Sequence, residues 1–286
     1  MSVIGVSGLR FRYPRAAEEA LKGFDFEIRE GEIFGFLGPS GSGKSTTQKI
    51  LTGLLPEFEG QATVLGQGIG KWGRGLYQRV GISFEYPTHF LKLTALENLS
   101  YYGALFEGER RSPQQVLEWV GLGGEGQKRV EEYSKGMKNR LSLARSLLHR
   151  PDVLFLDEPT AGLDPKNARL VRDLIRQENE NGCTVFLTSH DMHLVDALCH
   201  RAAFLVEGRI STVGVPGDLK LRHGKREVNL RYEAEGEVEE AAFSLEGLGD
   251  NPEFLALLRS GRVLTMHSRE ATLEDVFIEV TGEYLH

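Results

Sequence analysis

The chain has 286 residues, 40% hydrophobic and 26% charged, a globular composition with length for one large domain and one small one. No stretch reaches the roughly 18 consecutive apolar residues that cross a bilayer as a helix, and the opening MSVIGVSGLRFRYP lacks the apolar segment of a secretory signal, so a soluble, non-exported chain is expected. A formal net charge of -7 opposes broad attraction to phosphate backbones, and Cys183 and Cys199 form neither a disulfide framework nor a zinc spacing; no nucleic-acid partner is expected, and a reducing cytoplasm fits.

Along the chain, Phe24, Phe26 and Ile28 alternate with charged residues, and after a turn at Gly31 the run Ile33, Phe34, Gly35, Phe36, Leu37 reads as a second strand. That run enters GPSGSGKST (38–46) directly, and an apolar-periodic stretch with Ile50, Leu51 and Leu54 follows, giving strand, glycine loop and helix in order. Residues 38–45 fit the pattern GxxxxGK(S/T), in which glycines let backbone N–H groups curl around phosphate oxygens while the following helix offers its positive end. Gly38, Pro39, Ser40, Gly41, Ser42, Gly43 and Thr46 are therefore candidate nucleotide contacts. Lys44 is expected to reach the β- and γ-phosphates, and Ser45 to ligate Mg²⁺ through its hydroxyl, since that hard ion takes oxygen ligands.

From about residue 86 to 150 the pattern turns helical, with helices predicted over 95–106, 112–120 and 137–148, the last carrying Leu141, Ala144 and Leu148 on one face. This reads as an inserted helical subdomain. Strand and helix then alternate over 153–156, 166–181, 184–188, 192–199 and 201–206, which implies a largely parallel sheet. The strand at 153–156 ends in Asp157 and Glu158, two carboxylates at the sheet edge where α/β folds bind ligands. Asp157 is expected to hold Mg²⁺, directly or through water, and Glu158 to polarise an attacking water, a general-base role worth roughly 10²–10⁴ in rate. Beyond Gly217 the charge density rises and a domain boundary is expected. The stretch 225–286 then shows a strand with Val228, Leu230 and Tyr232 alternating, a helix over 252–258, a strand over 262–266 and a helix over 272–281, with no chemical motif.

In addition to the phosphate loop, YSKGMKNRLSLAR (133–145) precedes VLFLDEPTAGLDP (153–165) and then TSH (188–190); in order and spacing the chain resembles the ATP-binding cassette (ABC) family over about residues 3–220. The resemblance implies an α/β, P-loop NTPase cassette over 1–220, with an antiparallel β subdomain and the helical subdomain at about 86–150, followed by a small α+β accessory domain over 225–286. ATP and Mg²⁺ are the implied cofactors. By the same resemblance Ser134 and Gly136 contact the γ-phosphate of ATP held by the other subunit. His190 is the switch histidine that orients Glu158 and the water, Asp164 lies in the loop joining the subunits, and Tyr13 stacks on adenine. Ser134 stands at a helix start, where its hydroxyl and the helix dipole both suit an anion, and a plain helix cap is an equally true description.

Two positions depart from the family pattern. VGISFE puts Glu85 where glutamine is usual; a carboxylate still coordinates Mg²⁺ and water, but it adds negative charge and lacks the amide donor. Glu85 is expected as a metal or water contact. The signature carries Lys135 in place of the commoner glycine and Met137 in place of glutamine, as in exporter-type cassettes, and TLEDVFIEVTG resembles exporter endings. EYPTHFLKL (85–93) resembles the surface where a membrane subunit docks, and ordinary packing within the subdomain is an equal reading.

The implied function is that of an ATP-hydrolysing transporter subunit, with export as the expected direction, at the cytoplasmic face of the cell membrane beneath separate membrane-spanning permease subunits. A second ATP-binding subunit, with a homodimer expected, completes its sites. A cassette ATPase that remodels ribosomes or DNA is the alternative, disfavoured by a single cassette without a long coiled-coil insertion or basic tail. A regulatory module without catalysis is disfavoured by the intact Lys44, Ser45, Asp157, Glu158 and His190.

Overall fold

The structure, a computed structural model, describes residues 2–86, 88–223, 227–269 and 271–283. Two compact units divide the chain, the first ending at Val215 and the second beginning at Pro216.

In the first unit strands β1 (Ser2–Phe11), β2 (Leu21–Lys22), β3 (Phe26–Arg29) and β4 (Ile33–Leu37) precede helix α1 (Lys44–Leu51) and strands β5 (Glu59–Val64), β6 (Gln67–Gly68) and β7 (Val80–Ser83). Helices α2 (Ala95–Gly103), α3 (Pro113–Trp119) and α4 (Lys135–Ser146) follow. The unit ends with β8 (Val153–Asp157), α5 (Pro165–Glu180), β9 (Thr184–Ser189), α6 (Met192–Leu198), β10 (Arg201–Val206) and β11 (Arg209–Gly214).

The central sheet runs β11-β10-β4-β9-β8-β7, parallel throughout except for the β10–β11 pair. Every residue of β4, β8 and β9 is buried, because a parallel sheet covered on both faces takes continuous apolar runs. Leu37 pairs with Ser189 and Thr188 with Asp157, so these three strands end side by side. A second, antiparallel sheet runs β2-β1-β5-β6 with β3 also on β1. In β3, Phe26 and Ile28 point inward while Glu27 and Arg29 face solvent, the alternation of a half-buried strand. Phe26 stacks on Phe34 at 5.7 Å between ring centroids and so joins the two sheets in one core.

Several of these helices begin at side-chain caps. Thr94 and Glu97 form a reciprocal capping box, and Ser112, Ser134 and Asp164 cap the next three long helices. The Ser134 cap starts α4 at Lys135, two residues earlier than the apolar spacing indicates. Helix α2 stops at Gly103, short of the predicted 106, and Phe106 instead stacks on His149 with centroids 3.9 Å apart. Among the described residues no helix is long and apolar enough to cross a membrane.

In the second unit, helix α7 (Pro216–His223), strands β12 (Glu227–Ala234) and β13 (Glu237–Ser244), helix α8 (Pro252–Arg259), strand β14 (Val263–Arg269) and helix α9 (Leu273–Thr281) follow in order. The antiparallel sheet β13-β12-β14 centres on Val228, Leu230, Phe243 and Phe254. Helix α7 packs on α9, and Leu219, Leu273, Val276 and Phe277 are buried.

Candidate functional site

The loop between β4 and α1 is held by contacts that admit only glycine at two points. A Cβ on Gly38 would lie 2.0 Å from the Leu205 carbonyl oxygen. Gly43 adopts φ 109°, with a would-be Cβ 2.6 Å from Leu21 Cδ2. Inside this loop the Lys44 Nζ donates to the carbonyl oxygens of Gly38 at 2.7 Å and Pro39 at 2.9 Å. Burial lowers the Lys44 pKa below the ordinary lysine value, opposed by the charges of Glu158, then Asp157, then Glu85. Three carboxylates thus share the surroundings of one ammonium, and a group rich in phosphate oxygens is the natural complement of that lysine. The Ser42 hydroxyl is buried with no hydrogen-bond partner among the described residues, an acceptor-seeking donor in the same loop.

From α1, the Ser45 Oγ donates to Asp157 Oδ1 at 3.1 Å, and Thr188 Oγ1 at the end of β9 donates to the same oxygen. A hydroxyl and a carboxylate at this spacing supply hard oxygen donors, and they fit Mg²⁺, which keeps most of its positions for water and phosphate. Glu158, one residue on, is a non-glycine at φ 49°, a conformation disfavoured for a residue with a Cβ. Its N–H donates to the Thr188 carbonyl at 3.0 Å, its Oε1 meets His190 Nδ1 at 2.9 Å, and its Oε2 accepts from Ser189 Oγ at 3.3 Å. With Nδ1 occupied by the carboxylate, Nε2 of the exposed imidazole is the ring nitrogen left for another partner. Glu85 lies just past β7, partly buried, with its charge reaching Lys44. The Tyr13 hydroxyl is 3.0 Å from Thr46 Oγ1 and its ring meets Phe11 edge-on at 4.8 Å, which fixes a partly exposed aromatic face beside the start of α1.

Ser134, Gly136 and Asp164 form a second cluster. A Cβ on Gly136 would come within 3.1 Å of Leu163 Cδ2, and Asn139 Nδ2 donates to the Ala161 carbonyl at 3.2 Å, so the start of α4 rests on the loop leading to α5. Asp164 caps that helix, and the Asn167 N–H above all holds its carboxyl below the usual range. Among the described residues no hydrogen bond joins Ser134 or Gly136 to the loop 38–46, so the two clusters are separate within one chain. Sequence reading missed Thr188 and Ser189, which orient the two carboxylates. Their signal lay in the TSH triplet, where only the histidine stood out.

A loop shaped by glycine contacts around a clamped lysine, at the carboxyl edge of a parallel sheet, places the chain among the phosphate-loop nucleotide-binding cassettes. Its sequence matches the ABC transporter family over residues 21–161 and the fluoroquinolone efflux ABC transporter C-terminal domain over residues 226–270. It is 51% identical to a fluoroquinolones export ATP-binding protein of Mycobacterium tuberculosis, over 99% of this chain and 94% of that one. A linearmycin resistance ATP-binding protein of Bacillus subtilis is 34% identical over 93% of this chain and 81% of its own. Among solved structures, a dimeric ATP-binding cassette in a post-hydrolysis state bound to ADP and Pi aligns with TM-score 0.68 and 26% identity, over 74% of this chain and 98% of that one. The chain belongs to the ABC transporter family and is an ATP-binding subunit of such a transporter.

Proposed function

We propose that the chain binds ATP with Mg²⁺ in the loop 38–46 and hydrolyses it to drive export through separate membrane-spanning permease subunits, as a dimer docked at the inner face of the cell membrane. The pairing of Glu158 with His190 at 2.9 Å, beside a lysine whose surroundings include both site carboxylates, is the observation that carries this reading. The loop N–H groups and Lys44 bind the β- and γ-phosphates, and Tyr13 stacks on adenine. Ser45 and Asp157 hold Mg²⁺, which when bound neutralises charge on the phosphate oxygens, and Glu85 contacts the metal or its water. Glu158 accepts a proton from the attacking water, while His190 holds that carboxylate in place and turns Nε2 to the γ-phosphate.

Ser134 and Gly136 of a second cassette close over the γ-phosphate, with Asp164 in the loop at the subunit junction. ATP thereby favours the closed dimer, and hydrolysis removes that preference. Fluoroquinolones are the favoured cargo, because the likeness to a protein named for their export covers 99% of the chain and a C-terminal match accompanies it. The test is Glu158→Gln: nucleotide binding persists, ATP turnover falls by roughly 10²–10⁴, and a closed dimer accumulates. Unchanged turnover removes Glu158 from the base role.

A further inference from the structure

Glu158 is held by the end of β9, Thr188 and Ser189, and by His190 just beyond it. Its backbone N–H donates to the Thr188 carbonyl at 3.0 Å, which secures the left-handed φ of 49°. Its Oε2 accepts from Ser189 Oγ at 3.3 Å, and its Oε1 meets His190 Nδ1 at 2.9 Å. The two side-chain partners differ in burial. The His190 side chain is 58% exposed, whereas Ser189 is withdrawn from water entirely. The Ser189 hydroxyl is itself fixed: the Asp191 N–H donates to Oγ at 2.9 Å, and Asp191 caps α6 by accepting from the N–H groups of His193 and Leu194. An oxygen that accepts such a bond still has one proton to give, and the Glu158 carboxylate receives it.

An exposed imidazole is free to turn toward another group, and the carboxylate then keeps only the buried hydroxyl, which is tied to a helix start. We propose that Ser189 is a positioning residue for ATP hydrolysis: through its bond to Oε2 it keeps the Glu158 carboxylate aimed while His190 exchanges partners. The inference rests on the general-base reading of Glu158 above. A base displaced by about 1 Å forfeits up to ~10²-fold in rate, and a group that acts only on the chemical step leaves substrate binding unchanged. Among the described residues the Ser189 side chain makes no hydrogen bond to the loop 38–46, so its loss is expected to fall on turnover and not on nucleotide affinity.

Steady-state and single-turnover ATPase assays of the full chain test this. Ser189→Ala is expected to lower kcat by ~10- to 100-fold and to leave the KM for ATP within about twofold. Ser189→Thr keeps the hydroxyl and is expected to return kcat to within about threefold of the parent. Where the extra methyl disturbs the buried site, Ser189→Cys, a weaker donor of similar size, is expected to fall between serine and alanine. The effect has to pass through the carboxylate. In a Glu158→Ala background, where none remains, adding Ser189→Ala is therefore expected to change the residual single-turnover rate by less than about twofold. A Ser189→Ala kcat within about twofold of the parent, a loss carried by KM, or the same loss with and without Glu158 overturns the positioning role. Parental turnover in Glu158→Ala alone overturns the general-base reading instead.

Discussion

Strands β4, β8 and β9 of the cassette are buried at every residue, whereas β13 of the C-terminal unit buries only Phe243 and leaves Val238 and three glutamates in solvent. The first arrangement fixes strand ends on both sides by packing, and hydrogen bonds of about 3 Å between Ser45, Asp157, Glu158 and His190 depend on ends that do not wander. The second has a small core and a largely exposed surface, including Leu264 and Met266. Rigidity is concentrated where the charged chemistry is.

That contrast is sharpest at the buried ion pair of the cassette. Arg111 meets Glu178 at 2.8 Å with both side chains nearly withdrawn from water, and its guanidinium lies 4.8 Å over the Trp119 ring. Arg111→Ala strands a buried carboxylate and is expected to cost about 3–5 kcal/mol in a denaturant titration; a loss under about 1 kcal/mol would show that water already serves Glu178.

Acid should also find the cassette. Burial pushes His89 and His149 down to about 4, and each has an Nδ1 without a hydrogen-bond partner among the described residues. Unfolded, both return to about 6.5, so the stability gained from keeping them neutral is complete above that pH and is lost as pH falls toward 4. The melting temperature should drop across this window, and His149→Gln should shallow the slope; a flat profile contradicts the burial argument. The smallest effect belongs to the C-terminal unit, where Leu264→Ser at an exposed position should change stability by about 0.5 kcal/mol or less in the same titration. A larger loss there would mean that its surface is packed against something.

The sequence exposes most readily what chemistry or full burial dictates. GPSGSGKST and the Asp157–Glu158 pair are legible because phosphate binding restricts residue type, and the apolar run of β4 because both its faces are covered. Strand β13 is not legible, since EVEEAAFS carries little apolar alternation. It is secured instead by cross-strand polar contacts, Arg231 with Glu240 at 3.0 Å and Tyr232 with Glu239 at 2.8 Å, that appear only once β12 is its neighbour. The Arg111–Glu178 pair and the Thr188 and Ser189 bonds are hidden for the same reason: partners far apart in the chain meet only through the fold.

At Glu158 the backbone and the side chain make opposing demands. The left-handed conformation at φ 49° would suit glycine, while the proposed chemistry needs a carboxylate, so the position is held by its neighbours on β9 rather than by its own preference. Selection for thermal stability alone would drift toward glycine there and produce a sturdier protein without the carboxylate that the proposed hydrolysis needs.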